Sequence, residues 1–271
     1  MGISFFASAA IVASCASLTT RNPAQNGGTE VTIPASKTDQ PVILVIGDSH
    51  LGGAFGDHLY EKLRTIPNAK VYLYSSCGTI VENWYTGKKT TCDYFYKGPE
   101  YSEARRISAR KFAPCHDCLY KKVYPTPIAT QLLSDIKPTL VIVEHGTNYA
   151  GYDDWTDQTI VHDMQRLAVA IHATGAKCIW AGLPDSRAYN IPDSRAKYDH
   201  NRSFTSLQNH LAALVQDATI VDKQSICEFI DSTKLTTYPK DSGDSQGVHY
   251  FSADAIKVAN KWADSVFTHV K

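Results

Sequence analysis

The run Val42-Ile43-Leu44-Val45-Ile46 leads through Gly47 directly into Asp48, Ser49 and His50. A carboxylate, a hydroxyl and an imidazole therefore follow one uninterrupted apolar stretch, which fits a buried parallel strand ending in a turn. The turn by itself needs only the glycine and the aspartate. Phosphate cradling does not explain the surplus. No G-x-x-x-x-G-K-[ST] occurs, and the glycines from Gly47 to Gly56 do not form G-x-G-x-x-G. What remains is a nucleophilic serine at the carboxyl end of a strand. A serine hydroxyl attacks poorly until a neighbouring imidazole takes its proton, and the adduct it forms needs preorganised hydrogen-bond donors. Those partners have to come from elsewhere in the chain.

Apolar runs and helical periodicities alternate from residue 41 onward. The pattern predicts strands over 42–46, 71–75, 139–144, 177–182 and 218–222. Between them, period-3.6 stripes unite Leu51, Phe55, Leu59 and Leu63; Ile160, Met164, Leu167 and Ile171; and Phe204, Leu207, Leu211 and Leu214. A last helix carries Ala255, Ala259, Trp262 and Val266 behind Ser252, a predicted N-cap. Such alternation predicts an α/β fold with a parallel sheet covered on both faces. Ligands of open parallel sheets sit at the carboxyl ends of the strands. Those ends here carry Asp48-Ser49-His50, Cys77-Gly78 and His145-Gly146-Thr147-Asn148, and Gly247-Val248-His249-Tyr250-Phe251 precedes the last helix.

These four blocks together resemble the SGNH, or GDSL-type, serine esterases: GDSH at 47–50, the glycine of SSCGT, GTN at 146–148 and GVHYF at 247–251. The resemblance covers about residues 41–270. It implies a three-layer α/β/α sandwich with a five-stranded parallel sheet in flavodoxin-like order. It also implies ester hydrolysis through an acyl-Ser49 intermediate, without metal or cofactor. Ser49 is then the nucleophile and His249 its general base. The backbone N–H groups of Ser49 and Gly78 and the side-chain amide of Asn148 form the oxyanion hole. The blander readings make Ser49 a helix N-cap, Asn148 a turn residue and His249 an exposed loop histidine. His50 stands where the family has leucine, and for it and His145 a supporting or surface position is expected rather than chemistry.

One position departs from the family. An aspartate is expected three residues before the histidine, and Gln246 stands there. A triad acid fixes the imidazole tautomer and stabilises the imidazolium. The Gln246 carbonyl suits the first task and, lacking charge, serves the second poorly. That leaves three readings. His249 works with Gln246 or a backbone carbonyl as a dyad; Asp244 takes the place if the Gly-containing loop reroutes; or the chain is an inert descendant. Asp241 is the other acid nearby.

The remaining sequence sets the context. Lys plus Arg equals Asp plus Glu at 27 each, which gives no bulk field for nucleic acid. The uncharged start, MGISFFASAAIVASC, has an apolar stretch of about 12 residues, too short to span a bilayer and suited to a signal peptide over 1–14. VASC resembles a bacterial lipobox, which would make Cys15 a lipidated first residue. Residues 15–40 then read as a tether reaching roughly 25–30 Å, and 41–271 as the hydrolase domain. The expectation is a monomer on the bacterial envelope, anchored by lipid at the outer membrane or the periplasmic face. Its substrate would be an acetyl ester of an envelope polysaccharide or peptidoglycan, with a lipid or an ester-bearing small molecule as the next reading. An O-acyltransferase and a carbohydrate-binding lipoprotein without catalysis are the alternatives.

Six cysteines follow Cys15, enough for disulfides in an exported protein. Cys92 with Cys115 or Cys118 is the preferred bridge. An irregular insertion at about 81–126 breaks the alternation. Its Trp84, Tyr85, Tyr94, Phe95 and Tyr96 either contact substrate or pack on one another in a peripheral flap.

Overall fold

A computed structural model describes residues 40–90, 94–99, 125–151, 155–186, 204–244 and 248–270. The elements, in order, are β1 (Val42–Gly47), α1 (Ala54–Leu63), β2 (Lys70–Ser76), α2 (Asn83–Thr86), β3 (Tyr94–Lys97) and α3 (Ala129–Ile136). They continue with β4 (Leu140–Glu144), α4 (Asp157–Ala173), β5 (Lys177–Ala181), α5 (Phe204–Ala218), β6 (Ile220–Val221) and β7 (Gln224–Ser225). The chain closes with β8 (Glu228–Ile230), α6 (Ser232–Leu235) and α7 (Ala253–Thr268). Six strands form one sheet in the order β3-β2-β1-β4-β5-β8. All neighbours pair parallel except β3, which runs antiparallel to β2. Without β3, the remaining strands take the flavodoxin-like order.

Alternation along the strands divides the core into two layers of side chains. Leu44, Ile46, Val141, Val143 and Trp180 point to one face, where Met164, Leu167, Ile171, Leu211 and Val215 of α4 and α5 cover them. Ile43, Val45, Ile142 and Ile179 point to the other, against Phe55, Leu59 and Leu63 of α1 and Trp262 and Val266 of α7. Period-2 strands meeting period-3.6 helices on both faces make the three-layer sandwich that the sequence predicts.

Two strands differ from expectation. Residues 218–222 do not supply the fifth parallel strand. Ile220–Val221 instead folds back on Gln224–Ser225 as a separate ribbon, and β8 takes the place beside β5. The reason is local: Asp222 and Lys223 adopt positive φ angles of 49° and 65° and reverse the chain. A disulfide joins Cys178 of β5 to Cys227, with Cα atoms 4.5 Å apart, and so holds the start of β8 against its neighbour. Cys77 is disulfide-bonded as well.

The second difference is β3, an edge strand contributed by the insertion. Its Tyr96 and Tyr94 lie over Tyr74 of β2, with ring centroids 4.8 and 6.4 Å apart. Trp84 is fully buried in the core beneath this region. Of the two readings for Trp84, substrate contact does not hold: its indole fills the interior beside His145. Tyr85 lies under the guanidinium of Arg166, 4.2 Å from its carbon. Cys15, the segment before residue 40, Gln246 and the Cys92, Cys115 and Cys118 pairing lie outside the described residues. No helix among the described residues is long and apolar enough to cross a membrane.

Candidate active site

β1 releases the chain at Gly47 into a tight turn, in which Gly52 N–H donates to the Ser49 carbonyl (3.1 Å) and Gly53 N–H to that of His50 (3.2 Å). Helix α1 is capped by Gly53 without a side-chain bond, so Ser49 is not its N-cap. Its hydroxyl faces elsewhere. Ser49 Oγ lies 3.0 Å from His249 Nε2, across two hundred residues of chain.

His249 is held by the loop before α7, where Ser252 caps the helix by accepting from Ala255 N–H at 3.2 Å. The acid against the imidazole is Asp244. One of its carboxylate oxygens accepts from His249 Nδ1 (3.1 Å), His249 N–H (2.7 Å) and Val248 N–H (3.0 Å). A carboxylate can only accept, so Nδ1 carries the proton and Nε2 presents its lone pair to Ser49. Asp244 stands five residues before the histidine, where the family resemblance places its acid three before. Gly243 makes the longer reach possible. It adopts φ +80°, and a Cβ there would come within 3.2 Å of Phe251. That conformation, strained for any other residue, turns the loop back on itself. Ser242 then pins the fold-back, its carbonyl accepting from Phe251 and Ser252 N–H at 2.8 and 2.7 Å. Asp241 faces solvent. Of the readings offered by the sequence, the placement of Asp244 against the imidazole matches the one in which Asp244 takes the acid's position.

Asn148 sits in the short 3₁₀ turn Thr147–Gly151 after β4. Its Nδ2 donates to the Thr79 carbonyl (2.9 Å) and to Asp48 Oδ2 (3.1 Å), and thereby ties together the turns that follow β1, β2 and β4. Gly78 lies in the second of these turns with φ 70°. Both amide protons of Asn148 are engaged, so donation to an oxyanion requires one of these bonds to be exchanged.

Behind Ser49 lies a cluster to which the sequence assigns no chemistry. Asp48, His50, Glu144 and His145 are all fully or almost fully buried, so neither histidine takes a surface position. His50 Nδ1 is 3.0 Å from Asp48 Oδ1 and 3.6 Å from Glu144 Oε1. Among the described residues, Asp48, His50 and Glu144 are the one trio with ligand atoms close enough to share a metal ion. Asp48 Oδ1 already accepts from both the His50 ring and the His50 backbone N–H, each at 3.0 Å, so hydrogen bonds account for the grouping. Burial pushes the Asp48 carboxyl up, but the His50 charge and hydrogen bonds outweigh it and leave it below the usual range. For His50 burial acts downward, and the two carboxyl groups override it, raising the ring to about 10. Burial and the neighbouring Asp48 charge push Glu144 up to about 8. His145, with no hydrogen-bond partner on either ring nitrogen among the described residues, is pushed down by burial to about 4. The available signal was a charged residue, Glu144, ending an otherwise apolar strand.

These shifts predict an unusual dependence of stability on pH. Between about pH 6.5 and 8 the folded chain keeps protons on His50 and Glu144 that the unfolded chain, with ordinary values of 6.5 and 4.5, has released. Their contribution is present at low pH and is lost as pH rises, by up to about 1.4 kcal/mol per unit for each proton. Below pH 6.5 His145 works in the opposite sense, because the unfolded chain binds the proton that the folded one refuses. It offsets Glu144 down to about pH 4.5. Urea unfolding should therefore show a plateau near pH 5–6.5 and a loss on the order of 2–4 kcal/mol by pH 8. A stability that holds level or rises from pH 6.5 to 8 would contradict the buried protons.

A parallel sheet in this order, with a serine, an imidazole and a carboxylate in line at its carboxyl edge, has the fold of the SGNH hydrolases. No family model matches the sequence, and no curated relative does. Among solved structures, the chain is similar to a candidate acylhydrolase from Bacteroides fragilis at 12% identity and TM-score 0.51, over 88% of this chain and 92% of that one. It is also similar to a GDSL-like lipase from Bacteroides thetaiotaomicron (11%, TM-score 0.48, 86% and 90%) and to a carbohydrate acetylesterase from Sinorhizobium meliloti (14%, TM-score 0.49, 85% and 98%). At 12% identity the likeness to the acylhydrolase shows the fold alone.

Proposed function

We propose that the chain is a serine ester hydrolase in which Ser49 attacks a carboxylic ester. The observation that carries this is the unbroken hydrogen-bonded line from Ser49 Oγ through His249 to Asp244. In the first step His249 Nε2 takes the Ser49 proton as Oγ bonds to the ester carbonyl carbon. The negative oxygen of the adduct is stabilised by the Ser49 and Gly78 N–H groups and by Asn148, once its amide exchanges a partner. His249 then gives the proton to the departing alkoxide, leaving acyl-Ser49, and a water activated by the same nitrogen releases the acid.

The finer part of the proposal is an acetyl ester on an envelope polysaccharide or peptidoglycan. Its support is the lipobox-like start with the polar tether behind it, together with one exposed aromatic at the site. Phe251 stacks on the His249 ring with centroids 5.5 Å apart and is 41% exposed, offering an apolar face to a sugar ring beside the reacting bond. The test compares release of acid from an O-acetylated peptidoglycan, an O-acetylated neutral polysaccharide and a long-chain acyl ester, each with and without a free sugar acceptor. Release of acetate from a glycan, unaffected by acceptor, is the expected result. Acetyl transfer to the acceptor would make the chain a transferase using the same residues. No turnover of any ester, with Ser49 unreactive to a fluorophosphonate, would overturn the reading.

A further inference from the structure

The peptide unit between Val248 and His249 is gripped from both ends. Its N–H donates to Asp244 at 2.7 Å, and its carbonyl faces His50 Nε2 at 3.2 Å. The other His50 nitrogen faces Asp48 Oδ1 at 3.0 Å. Both atoms opposite this ring are acceptors. The Val248 carbonyl cannot donate, and Asp48 is committed as an acceptor on both oxygens, from the His50 backbone and ring on one and from Asn148 on the other. A neutral imidazole has one N–H and could satisfy only one of the two. Protonation of both nitrogens satisfies both.

We propose that His50 is a positioning residue for the hydrolytic site, held as a buried imidazolium between the Asp48 carboxylate and the Val248 carbonyl, where it fixes the His249 loop against the Ser49 turn. The proposal rests on the hydrolase reading for what is being positioned, and on this geometry alone for the state of the ring. His50 is one residue from Ser49, and its acceptor Val248 is one residue from His249, so the clamp spans the line along which the proton moves. Its charge is balanced inside the protein. Asp48 and Glu144 face the ring, His145 interacts with Asp48, and the rings of Phe55, His249 and Tyr250 lie with centroids at 5.7, 6.0 and 6.5 Å. Glu144 Oε1 lies 3.6 Å from His50 Nδ1, beyond hydrogen-bond distance; burial and the Asp48 charge keep this carboxyl protonated at neutral pH, which leaves one anion and one cation in the cluster. The leucine that the family places here would fill the volume without making either bond.

Two measurements test this. In the wild-type protein, nitrogen-15 spectra of the His50 ring should show both nitrogens protonated from pH 5 to 9. A ring neutral at pH 7, or a stoichiometric metal removed by chelation with a change in the His50 signals, overturns the proposal. For His50→Leu and His50→Gln, turnover of an activated acetyl ester and the rate of fluorophosphonate labelling at Ser49 should fall together by about 10–100-fold. That is the effect of a small misplacement of reacting groups, and it should appear in kcat with KM little changed. Glutamine, which can still donate to Val248, should lose less than leucine. A folded His50→Leu with wild-type kcat overturns the proposal. If leucine prevents folding, the glutamine variant and the wild-type spectra still decide it. A wild-type protein that fails to label would count against the hydrolase reading, while the ring spectrum would still report on His50.

Discussion

Ser49→Ala should retain the fold and lose hydrolysis of an activated acetyl ester by on the order of 10⁴- to 10⁶-fold in kcat. The alanine removes only the hydroxyl, whose hydrogen-bond partner is His249 Nε2 at 3.0 Å. Because that imidazole is partly solvent-accessible, water can replace the lost partner, and stability should change by about 1 kcal/mol or less. The chemical loss is far larger because the remaining imidazole can only activate water, at a position not held for attack. The expected change corresponds to about 5–8 kcal/mol of barrier. Steady-state kinetics and fluorophosphonate mapping on wild type and variant provide the check: labelling should fall on Ser49 and vanish with it. Substantial turnover by a folded Ser49→Ala protein would remove the serine from the reaction.

The second large effect concerns the acid. Asp244→Asn should lower kcat/KM on the same ester by about 10²- to 10⁴-fold. In a triad protease the equivalent change costs about 10⁴-fold through a wrong tautomer. Here a single Asp244 oxygen accepts from Nδ1 and from two backbone N–H groups. An asparagine whose carbonyl takes over those three bonds keeps the tautomer and loses only the charge, which sets the lower bound. An asparagine turned the other way sets the upper one. Gln246→Asp should by contrast bring no gain or a loss, because a second carboxylate near one imidazole competes with the first. Measured side by side, a rise with Gln246→Asp and indifference to Asp244→Asn would return the third role to position 246. The burial of Asp244, with a side chain only 7% exposed, makes Asp244→Ala a useful companion. It should lose at least as much as the amide.

Much of this molecule was legible in its residues. The alternation of β-branched runs with period-3.6 stripes was sufficient for a three-layer α/β sandwich. Polar residues placed just after apolar runs marked one edge of the sheet as the candidate site, because a parallel sheet exposes its strand ends there and buries everything else. Ser49, His249, Gly78 and Asn148 could be named on that ground and by the four-block resemblance.

Tertiary structure alone decided the rest. The fifth parallel strand shifted from 218–222 to Glu228–Ile230 because two successive positive-φ residues, Asp222 and Lys223, turn the chain. A short apolar run does not reveal which side of such a turn joins the sheet. Trp84 reads from sequence either as a substrate contact or as part of a peripheral aromatic flap, and it is core because the segment around it folds onto the sheet. The approach of Asp244 to the His249 imidazole depends on the backbone sign at Gly243, since a left-handed turn brings together residues that sequence spacing separates. His50 depended on distance across the fold: a side chain becomes a clamp only when a carbonyl 198 residues away comes within 3.2 Å of its ring. Periodicity specifies which face is buried, whereas the pairing of polar groups inside that face is set by three-dimensional closure, where every buried donor and acceptor must find its partner.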